Sequence, residues 1–135
     1  MRETPQRILI VKMGSIGDIV HTLPILRTLR KHYPDSFIAW AVEEKMADLL
    51  YKNPDLDEII ITATKRWRKN WNISTLSELT GTIRQLREKS FDTVLDLQGL
   101  IKSGVVAFLT GAPNRLGFSR KDCRETPNIL FTNRK

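Results

Sequence analysis

Arg7-Ile-Leu-Ile-Val-Lys-Met-Gly-Ser-Ile-Gly-Asp18, followed at once by Ile-Val-His-Thr-Leu-Pro24, decides the fold. The apolar, β-branched run ending in Lys12 reads as a strand. A glycine-bearing loop and an amphipathic segment opening at Asp18 then read as a turn and a helix. Such a junction places side chains and free backbone N–H groups at the carboxyl edge of a parallel sheet, where open α/β folds bind ligands. Lys12 and Asp18 are therefore expected to share one crevice.

Outward from that junction, strands and helices alternate. Asp18 to Tyr33 carries Ile19, Leu23, Leu26, Leu29 and Tyr33 at helical spacing and stops before Pro34. Phe37 to Val42 predicts a second strand closing on Glu43-Glu44, Lys45 to Tyr51 a short helix, and Glu58 to Thr62 a third strand. Ala63 to Ile73 has no periodicity and is expected to be a polar, aromatic loop. Thr75 to Lys89 returns to helical spacing through Leu76, Leu79, Ile83 and Leu86, with Ser74 or Thr75 as its cap. Thr93 to Leu97 predicts a fourth strand, Leu100 to Leu109 a mostly apolar helix, and Arg115 to Phe118 a short fifth strand. The tail from Ser119 to Lys135 is basic and weakly patterned. This alternation argues for right-handed βαβ crossovers: an α/β fold with a Rossmann-like, mainly parallel sheet flanked by helices.

At 135 residues the chain suits one domain, residues 1–135, with a proper core. No apolar run approaches the ~20 residues of a membrane span. The charged start, with Lys12 interrupting the first apolar run, is unlike a signal peptide. Cys123 is the single cysteine, which rules out an intramolecular disulfide and fits a reducing cytoplasm. Twenty-two Lys plus Arg against fifteen Asp plus Glu give a formal charge of +7, favouring anionic partners such as phosphates, acidic sugars, nucleic acid or anionic lipid.

Individual motifs each have a plain structural reading beside a chemical one. Gly14 and Gly17 lie three apart, which matches neither the G-x-G-x-x-G dinucleotide fingerprint nor a Walker A loop. Asp18 serves either as a helix cap or as a general base accepting a proton from a substrate hydroxyl, and the two roles are compatible. Lys12, ending a buried strand, calls for a ligand or a neighbouring carboxylate, because an unpaired buried ammonium is costly. His21 reads as an ordinary helix residue at the crevice edge. Arg66-Trp-Arg-Lys-Asn-Trp71 sets three cations and two indoles in six residues. It is a solvated loop stapled down by tryptophan, or an anion clamp in which guanidinium forks hold carboxylate or phosphate and indoles stack on rings. Glu43, Glu44, Asp96 and Gln98 all sit at predicted strand ends, and for Glu43 and Glu44 the plain reading is a solvated carboxylate. Asp96 and Gln98, in an apolar context, are better suited to orienting polar groups.

In order along the chain, Ile8-Leu-Ile-Val-Lys-x-x-x-x-Gly-Asp-x-x-His-Thr-Leu-Pro24, Trp40-Ala-Val-Glu-Glu44, Arg66-Trp-Arg-Lys69, Asp96-Leu-Gln-Gly-Leu-Ile-Lys-Ser103 and Asn133-Arg-Lys135 resemble the lipopolysaccharide heptosyltransferases of glycosyltransferase family 9. The resemblance runs from about Arg7 to Lys135. It implies a GT-B architecture, two Rossmann-like domains across a cleft, of which this chain supplies the N-terminal, acceptor-binding one; the C-terminal donor-binding domain is absent from it. The implied reaction is inverting transfer of heptose from ADP-heptose to Kdo of the lipopolysaccharide inner core, without a cofactor or a required metal. Asp18 matches the family's general base and Lys12 a lysine near the reacting centre. Gly17, Arg66, Arg68, Lys69, Arg124 and Gln98 fall on the acceptor side. The implied partners are a Kdo-lipid A acceptor, an ADP-heptose donor only with the other domain, and the anionic cytoplasmic face of the inner membrane, where the protein would lie peripherally. No nucleic acid is expected. The Met13-Gly14-Ser15-Ile16 loop departs from the serine-rich family form, and a chain without donor machinery is expected to be inactive alone. The contrasting expectation is a non-catalytic basic α/β module that binds nucleic acid or another polyanion.

Overall fold

The computed structural model describes residues 5–63, 67, 69, 72–98 and 101–117, with backbone only at 101 and 102. β1 (Arg7–Val11), β2 (Phe37–Glu43), β3 (Glu58–Thr62), β4 (Thr93–Asp96) and β5 (Asn114–Leu116) form one sheet in the order β3-β2-β1-β4-β5. Every pairing is parallel: Leu9 lies opposite Ala39 on one side and Val94 on the other. Among the described residues the connecting elements include α1 (Ile16–His32), a 3₁₀ turn (Glu44–Leu49), α2 (Ile73–Glu88) and α3 (Ile101–Leu109). This is the Rossmann-like α/β arrangement the alternation predicts.

Period-two alternation divides the core between the sheet's two faces. Leu9, Val11, Ala39, Ala41, Ile60 and Val94 pack with Leu86 of α2 and Ala107 of α3. Ile8, Ile10, Ile38, Trp40 and Val42 pack with Ile19 and Leu26 of α1 and with Ala47 and Leu50. The first face has alanines at Ala39, Ala41, Ala107 and Ala112, so a short helix can lie close. The second has Trp40, fully buried, filling the space under a single long helix.

α1 begins two residues earlier than its periodicity suggests. Ser15, extended at φ −90° and ψ −171°, is the N-cap, and Asp18 is the third helical residue rather than the cap itself. The physical reason is that Ser15 takes the extended cap conformation while its carbonyl accepts the first intrahelical bond, from Ile19 N–H at 2.9 Å. Pro24 sits inside the helix on the exposed side, where the Val20 carbonyl that loses its donor can meet water. The helix ends at Tyr33, driven out of the helical region by Pro34 (φ −130°, ψ 67°). Arg30 anchors that end. Its guanidinium reaches Asp57 Oδ2 (2.8 Å), the Asp55 carbonyl (3.0 Å) and the Ser36 carbonyl (2.8 Å), and Asp57 Oδ2 also accepts Ile38 N–H at 2.8 Å.

Three further differences have local causes. α2 is capped by Asn72, whose Oδ1 accepts Thr75 N–H at 2.9 Å, so Ser74 and Thr75 lie inside the helix. Its inward face is Thr75 and Leu86, with Leu79 and Ile83 half-buried; Leu76, expected in the core, is half-exposed, because capping at Asn72 turns Thr75 towards the sheet. β5 starts at Asn114, one residue before the expected Arg115, since Gly111 at φ +75° reverses the chain directly after α3 and brings Asn114 opposite Thr93. The expected tail falls outside the described residues. Replacing Ile10 by Ala should cost about 3 kcal/mol, through lost burial plus a cavity beneath α1. Asn72→Ala, removing only a cap, should cost about 1 kcal/mol. Urea denaturation of the two variants against the parent checks both values.

Candidate functional site

Strand order reverses beside β1: the chain leaves β1 for β2 on one side and reaches β4 on the other. The crevice outside the carboxyl ends of β1 and β4 is thus the switch point at which open α/β sheets take ligands. The two loops bordering it are Lys12–Ser15 after β1 and Leu97–Gln98 after β4.

Lys12 is 8% exposed, and its Nζ donates to the Leu97 carbonyl at 3.0 Å. One acceptor for the buried ammonium is thus a backbone carbonyl on the opposite loop. Its own main chain is pinned towards β2, with N–H to the Ala41 carbonyl at 3.3 Å and its carbonyl accepting the Trp40 indole N–H at 2.8 Å. Leu97 N–H donates to the Val11 carbonyl at 3.1 Å, which keeps the two loops in register.

Gln98 is 4% exposed, and its Oε1 accepts Met13 N–H at 3.1 Å and, at the limit of a hydrogen bond, Gly14 N–H at 3.5 Å. Asp96, wholly buried, accepts Gln98 N–H at 3.1 Å. Gln98 therefore lies beneath the β1 loop, with its carbonyl oxygen on that loop's backbone.

Asp18 stands half-buried one turn into α1. Its Oδ2 accepts both the N–H and the hydroxyl of Ser15 at 3.4 Å, and its carbonyl accepts the Thr22 hydroxyl at 2.7 Å. The carboxylate is oriented by long, weak bonds at a helix N-terminus, where negative charge is favoured. Gly17 is exposed beside it, and a Cβ built there meets nothing within 4 Å, so the space over the first turn is open. His21 is exposed, as its helix reading requires.

Glu43 differs from its reading as a solvated strand-end residue. It is 8% exposed, as the last residue of β2, and its N–H donates to the Met13 carbonyl at 3.0 Å. The available signal was the uninterrupted apolar run from Ile38 to Val42, which marks a strand covered on both faces up to its end. Glu44 is exposed. In the basic segment, expected to be a loop, Trp67 and Lys69 are helical, with Trp67 N–H on the Ala63 carbonyl at 2.9 Å, and Trp67 is the staple: it is 8% exposed, and its indole N–H donates to Glu78 of α2 at 2.9 Å. Lys69 is exposed. Arg66, Arg68 and Arg124 lie outside the described residues. The structure thus brings Lys12, Gln98, Ser15 and Asp18 to one edge of the sheet.

A parallel Rossmann-like sheet with a lysine and a carboxylate at its switch point defines the chain as a ligand-binding α/β domain. Residues 79–135 match the model of glycosyltransferase family 9 (heptosyltransferase), and the chain belongs to this family. It is 36% identical over 130 residues to lipopolysaccharide heptosyltransferase 1 of Salmonella typhimurium, covering 96% of this chain and 41% of that protein. It is 27% identical over 112 residues to lipopolysaccharide heptosyltransferase 2 of Escherichia coli, covering 83% of this chain and 31% of that protein. Among solved structures it is similar to E. coli heptosyltransferase WaaC with ADP-2-deoxy-2-fluoro heptose, at 34% identity and a TM-score of 0.89, over 96% of this chain and 42% of that one. The chain thus spans about two fifths of the length of the type 1 relatives it matches.

Because the Gly17 position has room for a methyl group and lies in a helical turn, Gly17→Ala should stabilise the protein by about 0.5 kcal/mol through a less disordered unfolded chain. A thermal melt of the variant would show a higher midpoint; a lower one would mean that the first turn is strained against a side chain.

Proposed function

We propose that this chain is the acceptor-binding part of an inverting heptosyltransferase that transfers heptose from ADP-heptose to Kdo of the lipopolysaccharide inner core. The observation that carries the reading is Asp18: in a family 9 chain, a half-buried carboxylate stands on the first turn of α1 beside open space at the switch point.

Asp18 accepts the proton of the acceptor hydroxyl as that oxygen forms its bond to the anomeric carbon of the heptose. The bond from that carbon to the diphosphate breaks on the opposite face, and ADP leaves with the electron pair. A single displacement of this kind inverts the centre. Ser15 aims the carboxylate. Lys12, fixed between β2 and β4, adds positive charge at the edge where an acidic sugar would approach. Gly17 leaves room over the turn for the acceptor's ring. Arg66, Arg68, Lys69 and Arg124 supply cations that suit the carboxylates of Kdo and the phosphates of lipid A.

The nucleotide sugar named with the WaaC structure is the model for the donor. Its binding belongs to the part of such an enzyme beyond the matched two fifths, so residues 1–135 alone would bind acceptor without turning over. No helix among the described residues is long and apolar enough to cross a membrane. Contact with the cytoplasmic face of the inner membrane would then be peripheral, helped by the +7 charge.

Two measurements test the reading. A Kdo-containing lipid A analogue should bind saturably at low salt and weaken as salt rises, whereas a single-stranded oligonucleotide of equal charge should bind more weakly; the reverse order would favour the polyanion-binding module. In the protein with its donor-binding part present, Asp18→Asn should lower transfer by about 10²–10⁴-fold. Acceptor affinity should stay within about threefold, since the amide preserves the shape of the side chain. Near-normal turnover would remove Asp18 as the base.

A further inference from the structure

We propose that Gln98 is a positioning residue for the transfer reaction: from the far side of the switch point it fixes the loop that aims Asp18. The proposal rests on the reading of Asp18 as the base.

Gln98 is 4% exposed, so its amide was taken out of water on folding and must find partners inside. Its Oε1 is spent on the main chain of the β1 loop, at Met13 N–H (3.1 Å) and Gly14 N–H (3.5 Å). The donors belong to the two residues immediately before Ser15, and Ser15 holds the Asp18 carboxylate through its N–H and hydroxyl. Gln98 is held in turn: Asp96 is fully buried, lies opposite Val11 in the sheet, and accepts Gln98 N–H at 3.1 Å. A relay of hydrogen bonds therefore runs from the rigid end of β4 through Gln98 to the β1 loop and on to Asp18.

The relay explains why a buried glutamine stands at this place. Met13 is anchored on its other side, its side chain buried in the core and its carbonyl accepting Glu43 N–H at 3.0 Å. Gly14 is half-buried, has no side chain to hold it and is the joint at which the loop turns into α1. Without the Gln98 oxygen, Met13 and Gly14 N–H groups lose their acceptor and the joint can reorient, carrying Ser15 with it. The Ser15 bonds to the Asp18 carboxylate are already long, so a small reorientation is enough to break them, and a base displaced by about 1 Å loses much of its effect. Lys12 Nζ on the Leu97 carbonyl fastens the same two loops but leaves this joint untouched.

The test uses the protein with its donor-binding part present and three variants. Gln98→Met keeps the volume and removes the acceptor; Gln98→Asn keeps an amide but shortens its reach; Gln98→Glu keeps an oxygen where Oε1 stands. Hydrogen exchange at the amides of Met13, Gly14 and Ser15 should accelerate about tenfold or more in the Met and Asn variants and return towards the parent in the Glu variant. Transfer kcat should fall about 10–100-fold in the same two variants, with the acceptor KM within about threefold, and recover with Glu. Should one variant fail to fold, the other decides. Unchanged exchange at Ser15 would overturn the relay. Faster exchange with unchanged kcat would overturn the positioning role and leave a purely structural clamp. If the parent shows no transfer, the proposed function fails and with it the role in transfer, while the exchange data still decide whether Gln98 governs the Asp18 turn.

Discussion

The structure depends on β1 being enclosed on all sides. Its edges are hydrogen-bonded to β2 and β4, and its two faces lie under α1 on one side and α2 and α3 on the other, so Ile8, Leu9, Ile10 and Val11 have essentially no exposed surface. A five-residue strand buried in this way cannot slip by one residue without exchanging the side chains of two cores of different shape. Trp40 cannot be accommodated on the alanine-lined face, nor would Ala39 and Ala41 fill the space beneath α1. The register of the central strand is thus overdetermined, and the point at which it ends is fixed with it.

That end is where polar groups must leave the apolar interior. Main-chain groups of Lys12 and Met13 emerge between two neighbouring strands, and each finds a partner across the edge: Ala41, Trp40 and Glu43 on the β2 side, Gln98 on the β4 side. The requirement that buried backbone groups be satisfied therefore shapes the crevice before any ligand is considered. The same requirement explains why a lysine can sit 8% exposed at this place: its stem lies in the apolar layer and its ammonium reaches a carbonyl on the adjoining loop.

On the proposed function, the acting residues are ones that cost the fold little. The Asp18 carboxylate meets Ser15 through long bonds, and Gly17 has no side chain to pack, yet both occupy the turn beside the switch point. The similarity to WaaC, a TM-score of 0.89 at 34% identity, shows that the shape persists while most residues differ.

Much of this was legible in the chain. Continuous apolar runs within Arg7–Val11, Phe37–Glu43 and Glu58–Thr62, alternating with helical spacing and punctuated by Pro34 and Asn53-Pro54, determine an α/β domain with parallel strands, because burial on both faces requires such runs. Lys12, Gly17 and Asp18 could be placed at a carboxyl edge on the same grounds. Their relation to the rest of the edge could not. That Ser15 rather than Asp18 caps α1 depends on a backbone conformation that serine and aspartate both permit. That Glu43 is buried depends on β2 lying between β1 and β3, and that Gln98 spends its oxygen on Met13 and Gly14 depends on β4 returning beside β1 from some 85 residues away. Local pattern encodes which residues face inward; only the assembled sheet decides which distant polar groups must satisfy one another, because that demand arises when two strand ends are brought together out of water.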